Sequence, residues 1–296
     1  MPSPQAIQVL QHALSSLAHP IVVADLGSSG NSVTPLPDWF AKYAVSISID
    51  ALTPGESNGS IFSKDIVVSG LAVSDAIGSG TLIERQFPMC SGLNEVYPNE
   101  VAAYGIESFY QEVKRINMAT TTLPEILKEH GLSQIHYLKL DLEGSDLAVL
   151  DSCAGVLKEC ALLQAELRNT PLYVGEKTLG ESLTHINRQG FDLIDMKNEF
   201  WKRKTPNRHR VSHGNLAYSD AVFTKKIKPR NDTAIAIHAL LLHFYGYTNL
   251  AEHWLSNQMM TDTQLRLALF SVLFDPETLP QQPFNHAFFT HLALAR

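Results

Sequence analysis

The chain has 296 residues, 45% of them hydrophobic and 18% charged, with a formal net charge of -7. That is enough apolar material for a sizeable core and excludes a disordered chain, while the acidic balance argues against a general nucleic-acid binder, which needs a basic face to neutralise phosphates. The three cysteines, Cys90, Cys153 and Cys160, are odd in number and include no C-x-x-C pair, so neither a disulfide framework nor a cysteine zinc site is expected. Residues 5–18 form the first predicted helix, with Ile7, Leu10, Leu14 and Leu17 on one face and His19-Pro20 as its stop. The apolar run at 21–24 then reads as a buried parallel strand that ends in Asp25-Leu26-Gly27-Ser28-Ser29-Gly30. A short helix is expected over 37–43, and a strand over 45–49 that ends in Asp50. The run at 66–73 reads as one strand ending in Ser74-Asp75, and 78–98 as a hairpin or long loop.

Further along, 123–130 is a predicted helix closed by Gly131, and 135–140 a strand that leads into Asp141-Leu142-Glu143-Gly144. A helix follows, its apolar pattern carried by Leu147, Val149, Leu150, Val156 and Leu157. A strand at 161–165 ends in Glu166-Leu167-Arg168, a helix spans 179–189, and 191–195 and 217–224 make a late strand pair with an antiparallel edge. Strands that alternate with helices argue for an α/β fold: a Rossmann-like, mainly parallel sheet with helices on both faces. The charged break at 225–232 precedes a purely helical pattern. The organisation is therefore a lead-in helix (1–20), an α/β domain (21–228) and a C-terminal helical extension (229–296). Residues 1–20 lack the basic-then-apolar pattern of a secretory signal and no run approaches a membrane span, so the cytoplasm is the default compartment.

Ligands of open α/β sheets sit beyond the carboxyl ends of the strands. Asp25, Asp50, Asp75, Asp141 and Glu166 all close strand candidates, and in a parallel sheet such acids share one rim. The first loop lacks the G-x-G-x-x-G spacing that brings backbone close to a pyrophosphate. An acid beside a glycine turn suits a ligand without phosphate but with positive charge, such as S-adenosylmethionine, and Asp50 suits a ribose; these two acids do not by themselves choose between that donor and a nicotinamide dinucleotide. The densest chemistry lies at Asp141 and Glu143 before the glycine turn, with Lys139 two residues upstream as a counter-ion. His136 reads as a satisfied strand histidine. The polar stretch at 202–213, with Arg203, Lys204, Arg208, His209, Arg210 and His213, reads as a solvated loop or a lid over an anionic or sugar-like acceptor. His238, His243, His253, His286 and His291 lie on separate segments without metal-ligand pairing, and no metal is expected.

The segment from Leu138 to Leu150, Leu-Lys-Leu-Asp-Leu-Glu-Gly-Ser-Asp followed by Val149-Leu150, resembles the hallmark of FkbM-type methyltransferases, L-K-I-D-V-E-G-x-E-x-x-V-L. Glu166, Pro171-Leu172-Tyr173, Gly190-Phe191 and Asp220-Ala221-Val222-Phe223 fall in that family's order, over residues 21–226. The resemblance implies a class I fold, S-adenosylmethionine as methyl donor and a hydroxyl acceptor on a glycan or small metabolite. Asp25, Gly27, Ser28, Asp50, Ser74, Asp75 and Asp141 are then the donor-binding candidates, with Glu143, Asp141 and Glu166 as the catalytic ones. The chain departs from the family pattern at Gly30-Asn31, at Asp50-Ala51 where Glu-Pro is usual, and at Asp146 where the hallmark ends in Glu. The altered first loop supports one alternative, a non-catalytic methyltransferase-like interaction module; a nicotinamide-dependent oxidoreductase is a weaker one. No nucleic-acid or membrane partner is expected, and the C-terminal helices are a candidate surface for homo-oligomerisation.

Overall fold

The computed structural model describes residues 2–27, 36–52, 61–205, 213–226 and 231–275. In chain order it runs through helix α1 (Pro4–Ser15), strand β1 (Ile21–Leu26), α2 (Asp38–Ala41), β2 (Ala44–Asp50), β3 (Lys64–Ser69), β4 (Ala72–Val73) and β5 (Gly78–Arg85). Next come a 3-10 turn (Pro88–Cys90), α3 (Pro98–Tyr104), α4 (Glu107–Tyr110), β6 (Glu112–Thr121), α5 (Leu123–Glu129), β7 (Tyr137–Leu140), α6 (Asp146–Ser152) and β8 (Leu162–Arg168). The chain ends with α7 (Leu179–Arg188), β9 (Phe191–Trp201), β10 (Asn215–Lys225), α8 (Asp232–Phe244), α9 (Thr248–Ser256) and α10 (Thr263–Leu273). It forms two compact units: α1, α2 and α8–α10 make up one, and both sheets with α3–α7 the other. The lead-in helix and the C-terminal helices, separate segments in the sequence reading, therefore belong to a single unit.

The main sheet has the order β3-β2-β1-β7-β8-β10-β9. Its first five strands are parallel; β10 runs antiparallel to β8 and to β9. The expected Rossmann-like α/β architecture with an antiparallel late edge is what forms. The strand period of 2 divides this sheet into unlike faces. Val22, Ala24, Leu26, Leu138, Leu140, Leu163, Ala165 and Leu167 pack with Leu123, Leu127, Val149, Leu150 and Ile186 of α5, α6 and α7. Their in-between neighbours Asp25, Lys139, Gln164 and Glu166 point to the opposite side and carry the polar groups.

Three sequence expectations change in detail. The run at 66–73 is two strands, because the chain turns at Gly70 with φ +70°. Only β3 joins the main sheet; β4 pairs with β6, which also pairs with β5 in a small second sheet of order β4-β6-β5. Strand β6 has charged or polar residues at most of its positions and lacks an alternating apolar signal, since its first four residues are exposed on both faces and only its end is buried. Helix α6 stops at Ser152, so Val156 and Leu157 pack from turns rather than from a helix.

The other unit is built on α8, whose residues from Ile235 to Phe244 are all buried. Phe40 and Phe244 meet edge to face at 5.2 Å, and His238 stacks on Trp254 at 4.2 Å. Burial pushes His238 down to about 3, so this histidine is a neutral core group. Among the described residues no helix is long and apolar enough to cross a membrane.

Candidate active site

In the main sheet β1 is followed by neighbours on both sides: β2 and β3 on one, β7 and β8 on the other. The order reverses between β1 and β7, and such a switch point opens a crevice at the carboxyl ends of the strands. Gly27 leaves β1 with φ +87°, and a Cβ there would lie 1.9 Å from the carbonyl oxygen of Asp141. Only glycine lets the two strand ends come this close. The approach is held by the hydrogen bond from Asp141 N to Leu26 O (3.0 Å), while Gly27 N donates to Ile49 O of β2 on the other side (2.8 Å).

Asp25 and Lys139 are register partners in adjacent strands. The Lys139 ammonium lies 3.4 Å from a carboxylate oxygen of Asp25 and 3.4 Å from one of Asp141. Burial works against the charged lysine, but the two carboxylates outweigh it and hold Lys139 above its ordinary value. Burial also raises Asp141, with Lys139 pulling the other way and Asp25 and Asp220 adding to the rise. Asp50 closes β2 on the same face as Asp25, and its Oδ1 accepts the Leu52 amide at 2.8 Å in a turn of its own.

One strand further along, Glu166 of β8 is the register partner of Asp220 of β10. Arg168, two residues on and on the same face, is 6% exposed and holds three carboxylates: Glu166 at 2.5 Å, Glu143 at 3.0 Å and Glu176 at 3.4 Å. Its guanidinium also lies over the rings of Tyr173 and Tyr218, at 5.3 and 5.5 Å. Glu143 has φ +49°, the one positive value of a non-glycine among the described residues. The conformation is held from all sides. Asn94 donates to the Glu143 carbonyl (3.3 Å) and to Ser145 Oγ (2.7 Å), and the Tyr173 hydroxyl donates to Glu143 Oε2 at 2.5 Å. A Cβ on the following Gly144 would sit 2.6 Å from that of Tyr173. A strained backbone fixed by its surroundings is a common feature of functional sites.

Carboxylates outnumber the cations paired with them in this cluster, and their ionisation shows it. Burial pushes Glu143 up to about 7 against the pull of Arg168, with Asp141 adding to the rise. Burial also pushes Asp146, whose Oδ1 accepts the Leu142 amide at 3.1 Å, up to about 7, and Asp141 adds to it. Glu166 stands well above its ordinary value for the same first reason. The site is an acidic enclosure short of positive charge.

Of the sequence candidates, Asp25 and Asp141 meet at Lys139, Glu143 and Glu166 meet at Arg168, and Asp50 ends the neighbouring strand. Gly27 is the close-approach glycine. Ser74 and Asp75 follow β4, outside the main sheet, so Asp75 does not share the rim of the parallel strands; Ser74 is half-buried, Asp75 is exposed, and the two are bonded to each other at 3.0 Å. Ser28, Gly30 and Asn31 lie outside the described residues, as do Arg208, His209, Arg210, His286 and His291. His136 accepts the Val22 amide at its Nδ1 (3.0 Å), and burial pushes it down to about 4, as befits a structural histidine. Arg203 pairs with Glu100 at 3.3 Å and Lys204 with Glu107 at 3.6 Å. Arg168, Glu176, Asn94 and Arg85 were given no role from sequence, and Tyr173 and Asp220 entered only as pieces in the family's order, without a role. The spacing Glu166-x-Arg168 in a strand was a usable signal, because a period of 2 puts both on one face; the loop residues gave none.

Residues 64–193 match the model of the methyltransferase FkbM domain. The matched range contains Lys139, Asp141, Glu143, Glu166, Arg168 and Tyr173 and begins after Asp25 and Asp50. No curated protein matches the chain. Among solved structures it is similar to a precorrin-6y C5,15-methyltransferase from Geobacter metallireducens GS-15, with 12% identity and a TM-score of 0.32 over 74% of this chain and 86% of that one. A 1,6-didemethyltoxoflavin-N1-methyltransferase from Burkholderia thailandensis, with S-adenosylhomocysteine bound, shows 12% identity and a TM-score of 0.31 over 74% and 78%. A magnesium protoporphyrin IX methyltransferase from Synechocystis PCC 6803, with bound SAM, shows 11% and 0.30 over 75% and 80%. At such TM-scores these likenesses add nothing to the topology described above.

Proposed function

We propose, from the match of residues 64–193 to the methyltransferase FkbM domain, that the protein transfers a methyl group from S-adenosylmethionine to a hydroxyl of a glycan or small metabolite. The observation that best supports this reading is the meeting of Asp25 and Asp141 at Lys139, beside the switch point of the sheet. The donor set fits the group: an enclosure whose buried carboxylates are pushed upward for want of counter-charge suits a ligand that brings a sulfonium and an ammonium. We assign Asp25, Gly27, Ser28, Asp50 and Asp141 to holding it, with Asp141 toward its amino-acid end; Ser74 and Asp75, which follow β4 away from the rim of the parallel strands, are not assigned to it. When bound, the donor supplies a methyl group on a positively charged sulfur.

The chain's own work is alignment and proton removal. An acceptor held in line at near-attack distance gains several kcal/mol through orientation alone. A hydroxyl acceptor must also lose its proton, and a base is best matched when its pKa lies near the working pH. Glu143, pushed up to about 7, meets that condition. Glu166 stands behind it and shares Arg168 with it, so that Arg168 keeps the two acids apart and oriented.

Thermal shift with S-adenosylmethionine, S-adenosylhomocysteine and NAD tests the reading. A rise with the first two is the expected result. A rise with NAD alone replaces the reading with an oxidoreductase, and no rise with any of them leaves the interaction module. Glu143→Gln is expected to abolish turnover while S-adenosylhomocysteine still binds; unchanged turnover removes Glu143 as the base.

A further inference from the structure

We propose that Tyr173 is a positioning residue whose hydroxyl turns between the Glu143 carboxylate and the Cys90 carbonyl as Glu143 loses or gains a proton. The inference rests on the reading of Glu143 as the group that accepts the acceptor's proton. It starts from two distances: the Tyr173 hydroxyl is 2.5 Å from Glu143 Oε2 and 3.3 Å from the backbone oxygen of Cys90. A phenol has one hydrogen, so it serves one of these acceptors at a time, and its torsion is the one soft coordinate.

Everything else around the hydroxyl is held. Tyr173 is fully buried, with the guanidinium groups of Arg168 and Arg85 over its ring at 5.3 and 5.5 Å. Glu176 accepts the backbone amides of Leu172 and Tyr173 at 2.8 and 3.2 Å, and Val174 N donates to Glu95 O at 2.8 Å. The Cys90 carbonyl is fixed by Arg85 at 2.6 Å and keeps a second lone pair for another donor. Glu143 is fixed by its backbone conformation and by Arg168.

Two hydrogen-bond patterns therefore fit one set of heavy atoms. With Glu143 ionised, the tyrosine donates to the carboxylate. With Glu143 protonated, its new O–H donates to the tyrosine oxygen, and the tyrosine hydrogen turns to the Cys90 carbonyl. Neither state leaves a buried polar group without a partner, which would otherwise cost about 1–3 kcal/mol. A buried carboxyl can thus take up and release a proton with no movement of heavy atoms. The charged and titratable groups that face Glu143 are Arg168 and Glu166 from β8, Asp141 after β7, Asp146 of α6, the Tyr110 hydroxyl of α4, and the Cys90 thiol. They set the baseline of its ionisation, and Tyr173 adds the adjustable part.

The test is carboxyl-carbon NMR of the full chain labelled in glutamate, titrated through neutral pH, with the Glu143 signal assigned by its loss in Glu143→Gln. The wild-type midpoint is expected near 7. Tyr173→Phe keeps the ring but removes the donor to the charged form, and the midpoint is expected to rise by about one pH unit. An unmoved midpoint in a protein that melts like the wild type overturns the proposal. Should Tyr173→Phe not fold, 3-fluorotyrosine placed at position 173 keeps the hydroxyl and makes it a stronger donor. The midpoint is then expected to fall, and an unmoved midpoint again overturns the proposal. Turnover in Glu143→Gln would remove the base role and leave the hydroxyl switch standing, so the two readings fail separately.

Discussion

Asp146 offers a sharp test of the electrostatics, because an isosteric change separates its charge from its shape. The side chain is 7% exposed, and its Oδ1 accepts the Leu142 amide at the turn that presents Glu143. Burial, then Asp141, pushes its carboxyl from 3.8 to about 7. In the unfolded chain the group ionises near 4 and in the folded one near 7, so between those values the native state binds the extra proton. Stability then falls as pH rises through this window, is fully present below about 4, and is lowest above about 7. A displacement of this size corresponds to about 4 kcal/mol at pH 8. Asp146→Asn keeps an oxygen for the Leu142 amide but removes the charge. The bond to a neutral acceptor is weaker by about 1 kcal/mol, which leaves a net gain of about 3 kcal/mol at pH 8. Below pH 5 the wild-type carboxyl is already neutral, and the variant should lie within about 1 kcal/mol of it. Urea unfolding at pH 4.5 and pH 8, followed by tryptophan fluorescence, reads both numbers, and a flattened pH dependence in the variant is the expected result. A variant that loses stability at pH 8 and not at pH 4.5 would show that native Asp146 is a paired anion, and the reasoning would fail.

Two further predictions concern the frame of the site. Gly27→Ala puts a methyl group 1.9 Å from the Asp141 carbonyl oxygen at a φ of +87°; strain and displacement together are expected to cost at least about 3 kcal/mol in urea unfolding, with weakened S-adenosylhomocysteine affinity by calorimetry. Arg168→Met strips the shared counter-ion from Glu143, Glu166 and Glu176. Because removing one side of a buried ion pair typically costs about 3–5 kcal/mol, a loss of that order is expected at pH 8. The loss should shrink toward pH 5 as the carboxyls take up protons, and a deficit independent of pH would refute the assignment of Arg168 as their counter-ion.

How far the sequence carries can be seen at particular residues. The strands that build the sheet centre were legible because each is an apolar run with an acid or glycine at its end: Ile21–Leu26, Ala44–Asp50, Tyr137–Leu140 and Leu162–Arg168. Strand β6 was not, because most of it is exposed and its residues alternate without contrast. The break at Gly70 was not, because a glycine within an apolar run reads equally as a strand residue.

Local composition and the period of 2 were sufficient to mark Asp25, Asp141, Glu143 and Glu166 as groups of one chemical kind, since a polar side chain at the end of a buried strand has few places to go. Pairing is a different matter. That Lys139 stands between two carboxylates depends on the register of β1 against β7, and that Arg168 gathers three depends on loops 143–145 and 172–176 folding over β8. Neither is written in neighbouring residues, because register and loop approach are set by the packing of the whole sheet. Burial then decides which of these acids keeps a proton near neutral pH, and burial exists only once the chain has closed around them.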